Sequence, residues 1–163
     1  MEKARQLRPD SALALHSLAL LYDLLGRRKE AKDLYEASLK INGQNGVALN
    51  NLASYILDTG GDLDQALTYA QRARQQIPDQ PETADTVAQI YLKKGLADNA
   101  IEIFQDLVNK YRNEPLFRYH LGLALLQKGE KTKARTELQA ALAFGPAAPD
   151  AIRMKELIAG LGR

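Results

Sequence analysis

The sequence contains no cysteine and no tryptophan, and its aromatic residues are limited to seven tyrosines and three phenylalanines in 163 residues. Without cysteine, the chain can form no disulfide, no thiolate metal site and no thiol nucleophile. It also has no apolar run of about 18 residues and no stretch of the signal-peptide type. The sequence therefore predicts no direct membrane insertion by this segment and no export signal of its own.

The sequence has no large excess of positive or negative charge. It contains 22 basic and 20 acidic residues, for a net charge of +2. The longest basic run is Arg27-Arg28-Lys29, which is too short for the basic stripe that nucleic-acid-binding proteins usually carry. The sequence therefore predicts no nucleic-acid partner.

Apolar residues are plentiful and recur with helical spacing. They make up 45% of the chain, and alanine and leucine dominate, which favours helices over strands. Leu49, Leu52, Ala53 and Ile56 lie at i, i+3, i+4 and i+7, the spacing of one helix face. The same pattern returns about 34 residues away in either direction. This recurrence predicts an internal repeat.

Four alanines mark the period of that repeat. Ala31, Ala66, Ala100 and Ala134 follow one another at 35, 34 and 34 residues, and each is preceded by a second helical stretch and a glycine turn. Helix–turn–helix units are expected at 12–45, 46–80, 81–114 and 115–148. Residues 1–11 are interpreted as the tail of a preceding unit's second helix, and residues 149–163 as a capping helix. The chain is thus expected to be part of a longer array.

The pattern within each unit resembles the tetratricopeptide repeat. Apolar residues occupy positions 4, 7 and 11 in nearly every unit, a small residue occupies position 8, and alanine occupies position 20. Ala70 and Leu138 depart from the aromatic residue usual at position 24. The resemblance implies an all-α fold, a right-handed superhelix of four units plus the cap. It also implies a non-enzymatic scaffold that binds a protein or an extended peptide in a groove.

Polar residues on the first helix of each unit are the candidate binding residues. Position 6 carries Ser17, Asn51, Thr86 and His120, one polar group per unit. Neighbouring positions add Asn50, Ser54, Asp85, Gln89 and Tyr119. In the groove interpretation these side chains hydrogen-bond the backbone of an extended peptide, and Asn51 matches the asparagines that line the groove in related arrays. In the alternative, position 6 is simply exposed to solvent and any polar residue serves.

Signals for catalysis are weak. The two histidines, His16 and His120, lie about 100 residues apart, and neither belongs to a cluster with metal-ligand spacing. Asp58-Thr59-Gly60 has the letters of the aspartic-protease triplet, but it is expected to end a helix with glycine past its last turn. We therefore expect no catalytic residues, no metal and no cofactor.

A narrower resemblance links the chain to the C-terminal repeats of bacterial tetratricopeptide lipoproteins of exopolysaccharide and PEP-CTERM sorting systems. It rests on 49–53, Asp85-Thr86, 118–121 and 134–138. It implies a periplasmic or membrane-anchored location through a segment not in this sequence; without it, a cytoplasmic location is expected.

Two alternatives to the groove remain open at this stage. The chain could pair with a second copy, forming a homodimer through the apolar Leu13, Leu20 and Leu24 of its first repeat. It could instead be the accessory region of a larger export or assembly protein or of an enzyme.

Overall fold

The computed structural model describes residues 11–161, and within that range the chain forms nine helices and no strand. The predicted helical tail in residues 1–11 falls almost wholly outside the described residues. In chain order the helices are α1 (Ala12–Leu24), α2 (Arg28–Ile41), α3 (Gly46–Thr59), α4 (Leu63–Gln76), α5 (Pro81–Lys93), α6 (Ala97–Lys110), α7 (Pro115–Lys128), α8 (Lys131–Ala143) and α9 (Ala148–Gly160).

Short polar side chains begin several of these helices. The Ala48 N–H donates to Asn45 Oδ1 at 3.1 Å, and the Asp64 N–H donates to Asp62 Oδ1 at 2.9 Å. Each cap satisfies a backbone donor that has no partner inside the helix. In the pair α3 and α4, both helices therefore begin at a side-chain cap.

Glycines in the left-handed region end the first helix of each pair. Gly26, Gly60, Gly95 and Gly129 have φ between 69° and 86°, a conformation that other residues rarely adopt. A Cβ built on any of the four would have no atom within 4 Å. Backbone conformation, and not lack of space, therefore selects glycine. Thr59 is the last residue of α3, so the prediction that Asp58-Thr59-Gly60 ends a helix is confirmed.

The described residues divide into two compact units, one ending at Thr86 and the other beginning at Val87, with the boundary inside α5. In the first unit α1 packs on α2, α2 on α3, and α3 on α4. The predicted apolar face of α3 is buried: Leu49, Leu52, Ala53 and Ile56 are at most 7% exposed. Leu52 of this face and Ala48 cluster with the core residues of α1 and α2.

In the second unit α6 packs on α7, α7 on α8, and α8 on α9. Phe104, Leu138 and Met154 are completely buried. The α7 backbone lies against the Leu138 side chain of α8 at Gly122, because a Cβ there would lie 2.8 Å from Leu138 Cγ. Glycine at this position therefore sets the distance between the two helices.

The repeated alanines are all in helix contacts. Ala31, Ala66, Ala100 and Ala134 are 0% exposed, as their place in the repeat predicts. A larger side chain at any of them would have to displace the neighbouring helix.

Candidate functional site

The side chains at position 6 of the repeat are set into the surface and do not project freely into solvent. Ser17, Asn51 and His120 are half-buried, and Thr86 is 4% exposed. None of the four side chains is fully exposed to solvent. Ser17, Asn51 and Thr86 belong to the first unit and His120 to the second.

Asn51 is connected to the core through a chain of hydrogen bonds. Its Nδ2 donates to the hydroxyl of Tyr35 at 2.7 Å, and that hydroxyl donates to Asp23 Oδ2 at 2.7 Å. Burial and the Asp23 carboxylate raise the pKa of Tyr35 far above its usual value of 10.0, so the phenol stays protonated. These hydrogen bonds link α1, α2 and α3. Asn51 Nδ2 therefore takes part in a hydrogen bond that stabilises the fold.

Two buried polar atoms beside this chain have no hydrogen bond to the part of the chain that the structure describes. They are Oδ1 of Asn50 and Nδ1 of His16. The His16 ring lies against Tyr35, with ring centroids 5.9 Å apart. Most buried polar groups in folded proteins are paired, so these two atoms are exceptions within the described residues.

Burial lowers the pKa of His16 from its usual value of 6.5. The imidazole is therefore neutral at pH 7, with one nitrogen that donates and one that accepts. Asn50 and His16 thus carry one acceptor and one group that can take either role, and because both atoms are covered in this structure, a ligand reaches them only after a side-chain rotation. These are the groups that a peptide backbone needs.

Stability should fall on acidification because of His16. Its folded pKa lies below the unfolded 6.5, so the unfolded chain binds the proton more tightly. The stabilisation is present above pH 6.5 and is lost as the pH falls from there through the folded pKa. We expect the melting temperature to drop less steeply over this window in His16→Gln than in the parent protein. Parallel pH profiles for the two proteins would contradict this.

Other predicted residues of the first unit are less available. Thr86 donates its hydroxyl to the Glu82 carbonyl oxygen of its own helix at 2.9 Å. Asp85 is 6% exposed, whereas Ser54 is half-buried on α3, one turn after Asn50. Ser54 and Ser17 are therefore more accessible to a ligand than the α5 residues. They lie on the same two helices as Asn50, Asn51 and His16.

Two predicted residues of the second unit, Tyr119 and His120, belong to an aromatic cluster. The His120 ring lies 5.6 Å from the Tyr119 ring and 5.6 Å from the Phe104 ring, centroid to centroid. Tyr119 also packs against the buried cluster of α8 and α9. Gln89 is half-buried on α5. The position-6 residues, predicted from the sequence to be alike in every repeat, thus have polar neighbours in the first unit and aromatic neighbours in the second.

Sequence reasoning missed Tyr35 and Asp23. Position 24 holds Tyr35, Ala70, Phe104 and Leu138 in the four predicted repeats, so only the first has a hydroxyl there. A buried phenol needs a hydrogen-bond partner. The need of a buried phenol for a partner could have predicted polar neighbours of Tyr35 on the adjoining first helices.

The described residues were compared with two further requirements, those of a metal site and those of a membrane-spanning helix. Between residues 11 and 161, no three His, Asp or Glu side chains are grouped so that they could hold a metal ion. No helix in that range has both the length and the apolar character needed to cross a bilayer.

Solved structures share this architecture. YrrB, described as a TPR protein with an unusual peptide-binding site, is 24% identical, with 95% of this chain and 79% of that chain covered and a TM-score of 0.77. PilF of Pseudomonas aeruginosa is 21% identical over 99% and 78% of the two chains, with a TM-score of 0.75. MamA is 20% identical over 88% and 78%, with a TM-score of 0.73. At these identities the likeness shows the fold, and it confirms the predicted all-α helical-repeat class.

Sequence comparison identifies the family. Two sequence models described as tetratricopeptide repeat match residues 12–45 and 88–150, together more than half of the chain. The protein belongs to the tetratricopeptide repeat family, whose members are generally non-enzymatic scaffolds for protein interaction. No curated protein matches the sequence. The narrower resemblance to exopolysaccharide lipoproteins is not shown by these matches.

Proposed function

We propose that the protein is a scaffold that binds an extended peptide of a partner on its first helices, centred on α1 and α3. The observation that carries this proposal is the group of half-buried polar side chains at His16, Asn50 and Asn51 on these two helices. Half-buried Ser17 and Ser54 extend the polar surface along the same two helices.

Peptide recognition suits these groups because an extended backbone carries one N–H and one C=O per residue. An asparagine carbonyl accepts from the first and a neutral imidazole can pair with either. Asn51 is positioned by Tyr35, which holds the side chain in one rotamer and so reduces the entropy lost on binding. The peptide-binding site reported for YrrB is in keeping with this use of the fold.

Asn50→Ala is the variant that tests the proposal best. Oδ1 has no hydrogen bond to the described residues, so its removal should leave the melting temperature unchanged or slightly raised. Peptides would be selected from a random displayed library on the immobilised protein, and their affinities measured by fluorescence anisotropy. We expect a loss of about threefold to tenfold for Asn50→Ala, the value of one hydrogen bond.

The matched control is Gln75→Ala, which removes an exposed amide from α4. It should leave the affinity of the selected peptides unchanged. If Asn50→Ala and Gln75→Ala bind every selected peptide as the parent protein does, the proposed site is wrong. Using Asn50 avoids the ambiguity of Asn51→Ala, which also removes the bond to Tyr35.

Self-association is the second candidate. Leu13, Leu20 and Leu24 expose 73%, 37% and 86% of their surface on α1, which supports a homodimer through that helix. Sedimentation velocity over a concentration series tests it, since a monomer at every concentration eliminates this candidate.

A further inference from the structure

A cleft of about 270 Å³ lies between the second helices of the first unit, α2 and α4. Its floor is Leu49 and Leu52, each 1% exposed, its sides include Leu39 and Tyr69, and its rim carries Lys40 and Arg72. The volume is just below the range of about 300–1,000 Å³ typical of small-molecule sites. The cleft is therefore better suited to a bulky side chain of a peptide than to a cofactor.

The two cations on the rim have no acidic partner between residues 11 and 161. Arg72 Nη2 donates to the Gly43 carbonyl oxygen at 2.9 Å, which fixes the guanidinium at the mouth of the cleft. A guanidinium has five N–H donors, so others stay available. Glu36 also lines the cleft, but Lys32 Nζ lies 2.8 Å from its carboxylate and offsets that charge. Lys40 and Arg72 on the rim therefore form no ion pair with the described residues, whereas Glu36 shares Lys32 with Asp33.

A comparable cleft in the second unit lacks this feature. It has a volume of about 390 Å³ and is lined in part by Lys128, Glu130 and Lys133. Lys128 pairs with Asp98 at 2.6 Å and with Glu130 at 3.3 Å, and Lys133 pairs with Glu130 at 2.6 Å. Its cations are thus neutralised within the fold. Cations without an ion pair are therefore found at the cleft of the first unit, whereas the equivalent arrangement of helices in the second unit has paired cations.

We propose that the cleft between α2 and α4 binds an acidic linear peptide of a partner protein. A bulky apolar side chain of the peptide packs on Leu49, Leu52 and Tyr69. A carboxylate next to it on the peptide pairs with Arg72 and Lys40. The guanidinium matches a carboxylate with two parallel hydrogen bonds, which gives orientation as well as affinity. This surface uses different residues from the α1 and α3 site, so the protein would hold two peptide segments at separate places.

The test uses a fluorescein-labelled, C-terminally amidated hexapeptide in which a leucine is flanked by aspartates. Fluorescence anisotropy should show saturable binding to the full chain. We expect about tenfold weaker binding in Arg72→Gln and in Lys40→Gln, as the loss of a charge-assisted hydrogen bond requires. A peptide with asparagine in place of aspartate should also bind about tenfold more weakly. Amide resonances of Gly43 and Leu52 should shift on titration, whereas that of Leu125, in the cleft of the second unit, should not.

Lys133→Gln is the matched control, because it removes a cation from the cleft of the second unit. Its affinity for the peptide should equal that of the parent protein. Lys40 is exposed and makes no hydrogen bond or ion pair with the described residues, so Lys40→Gln tests the cleft even if Arg72→Gln loosens the Gly43 turn. The proposal is overturned by any of three results: no saturable binding at millimolar peptide, equal affinity in Lys40→Gln, or equal weakening by Lys133→Gln.

Discussion

Phe104→Ala lowers the free energy of unfolding by about 3–5 kcal/mol. Phe104 is 0% exposed on α6, and its ring contacts that of His120 on α7. Truncation to alanine leaves a cavity that rigid neighbouring helices fill only in part, so packing contacts are lost together with the burial of the ring. The second unit should therefore lose a large share of its stability.

Urea unfolding followed by circular dichroism measures the loss, with Phe104→Leu and Phe144→Ala as controls. Phe104→Leu keeps most of the buried volume and should cost much less. Phe144 is 42% exposed, so its truncation leaves no enclosed cavity and should cost far less than that of Phe104. If Phe104→Ala and Phe144→Ala destabilise the protein equally, Phe104 does not support the core as described.

Tyr35→Phe lowers the free energy of unfolding by about 2–3 kcal/mol although it removes a single oxygen atom. The hydroxyl of Tyr35 accepts from Asn51 Nδ2 and donates to Asp23 Oδ2, both at 2.7 Å. Without it, a half-buried carboxylate loses a donor and a half-buried amide loses an acceptor, while the volume of the core hardly changes. The expected cost is high because one of the two bonds involves a charged group.

Tyr22→Phe is the matched control for this prediction. Tyr22 is half-buried on α1, and its hydroxyl makes no hydrogen bond to residues 11–161. Its loss should change stability by no more than about 0.5 kcal/mol. Combining Tyr35→Phe with Asn51→Ala should cost less than the sum of the two single changes, since both remove the same bond. Strict additivity would mean that the hydrogen-bonded chain does not act as a unit.

The repeat register could be predicted from the sequence because close packing imposes it residue by residue. Ala31, Ala66, Ala100 and Ala134 are spaced so that each meets the same helix crossing, and all four are fully buried. Periodic apolar residues determine where the helices lie, and this information is local in the chain.

The pairing of polar atoms could not be predicted in the same way. Asn50 and Asn51 are the same residue type in adjacent positions, yet Asn51 donates to Tyr35 and Asn50 Oδ1 has no partner in the described fold. The difference depends on which way each side chain points after the helices have packed. The rim cations likewise come from residues 32 positions apart, Lys40 and Arg72, which meet only when α2 and α4 lie side by side.

The four left-handed glycine turns form a matched set of probes for folding cooperativity. Gly26, Gly60, Gly95 and Gly129 share one backbone conformation and have free space around the missing Cβ. Alanine therefore introduces the same intrinsic backbone penalty, about 1–2 kcal/mol, at four separate points along the chain. In a repeat protein, stability is approximately a sum of local terms and nearest-neighbour terms. Comparing the unfolding transitions of the four glycine-to-alanine variants thus shows whether the unfolding of one helix pair also unfolds its neighbour.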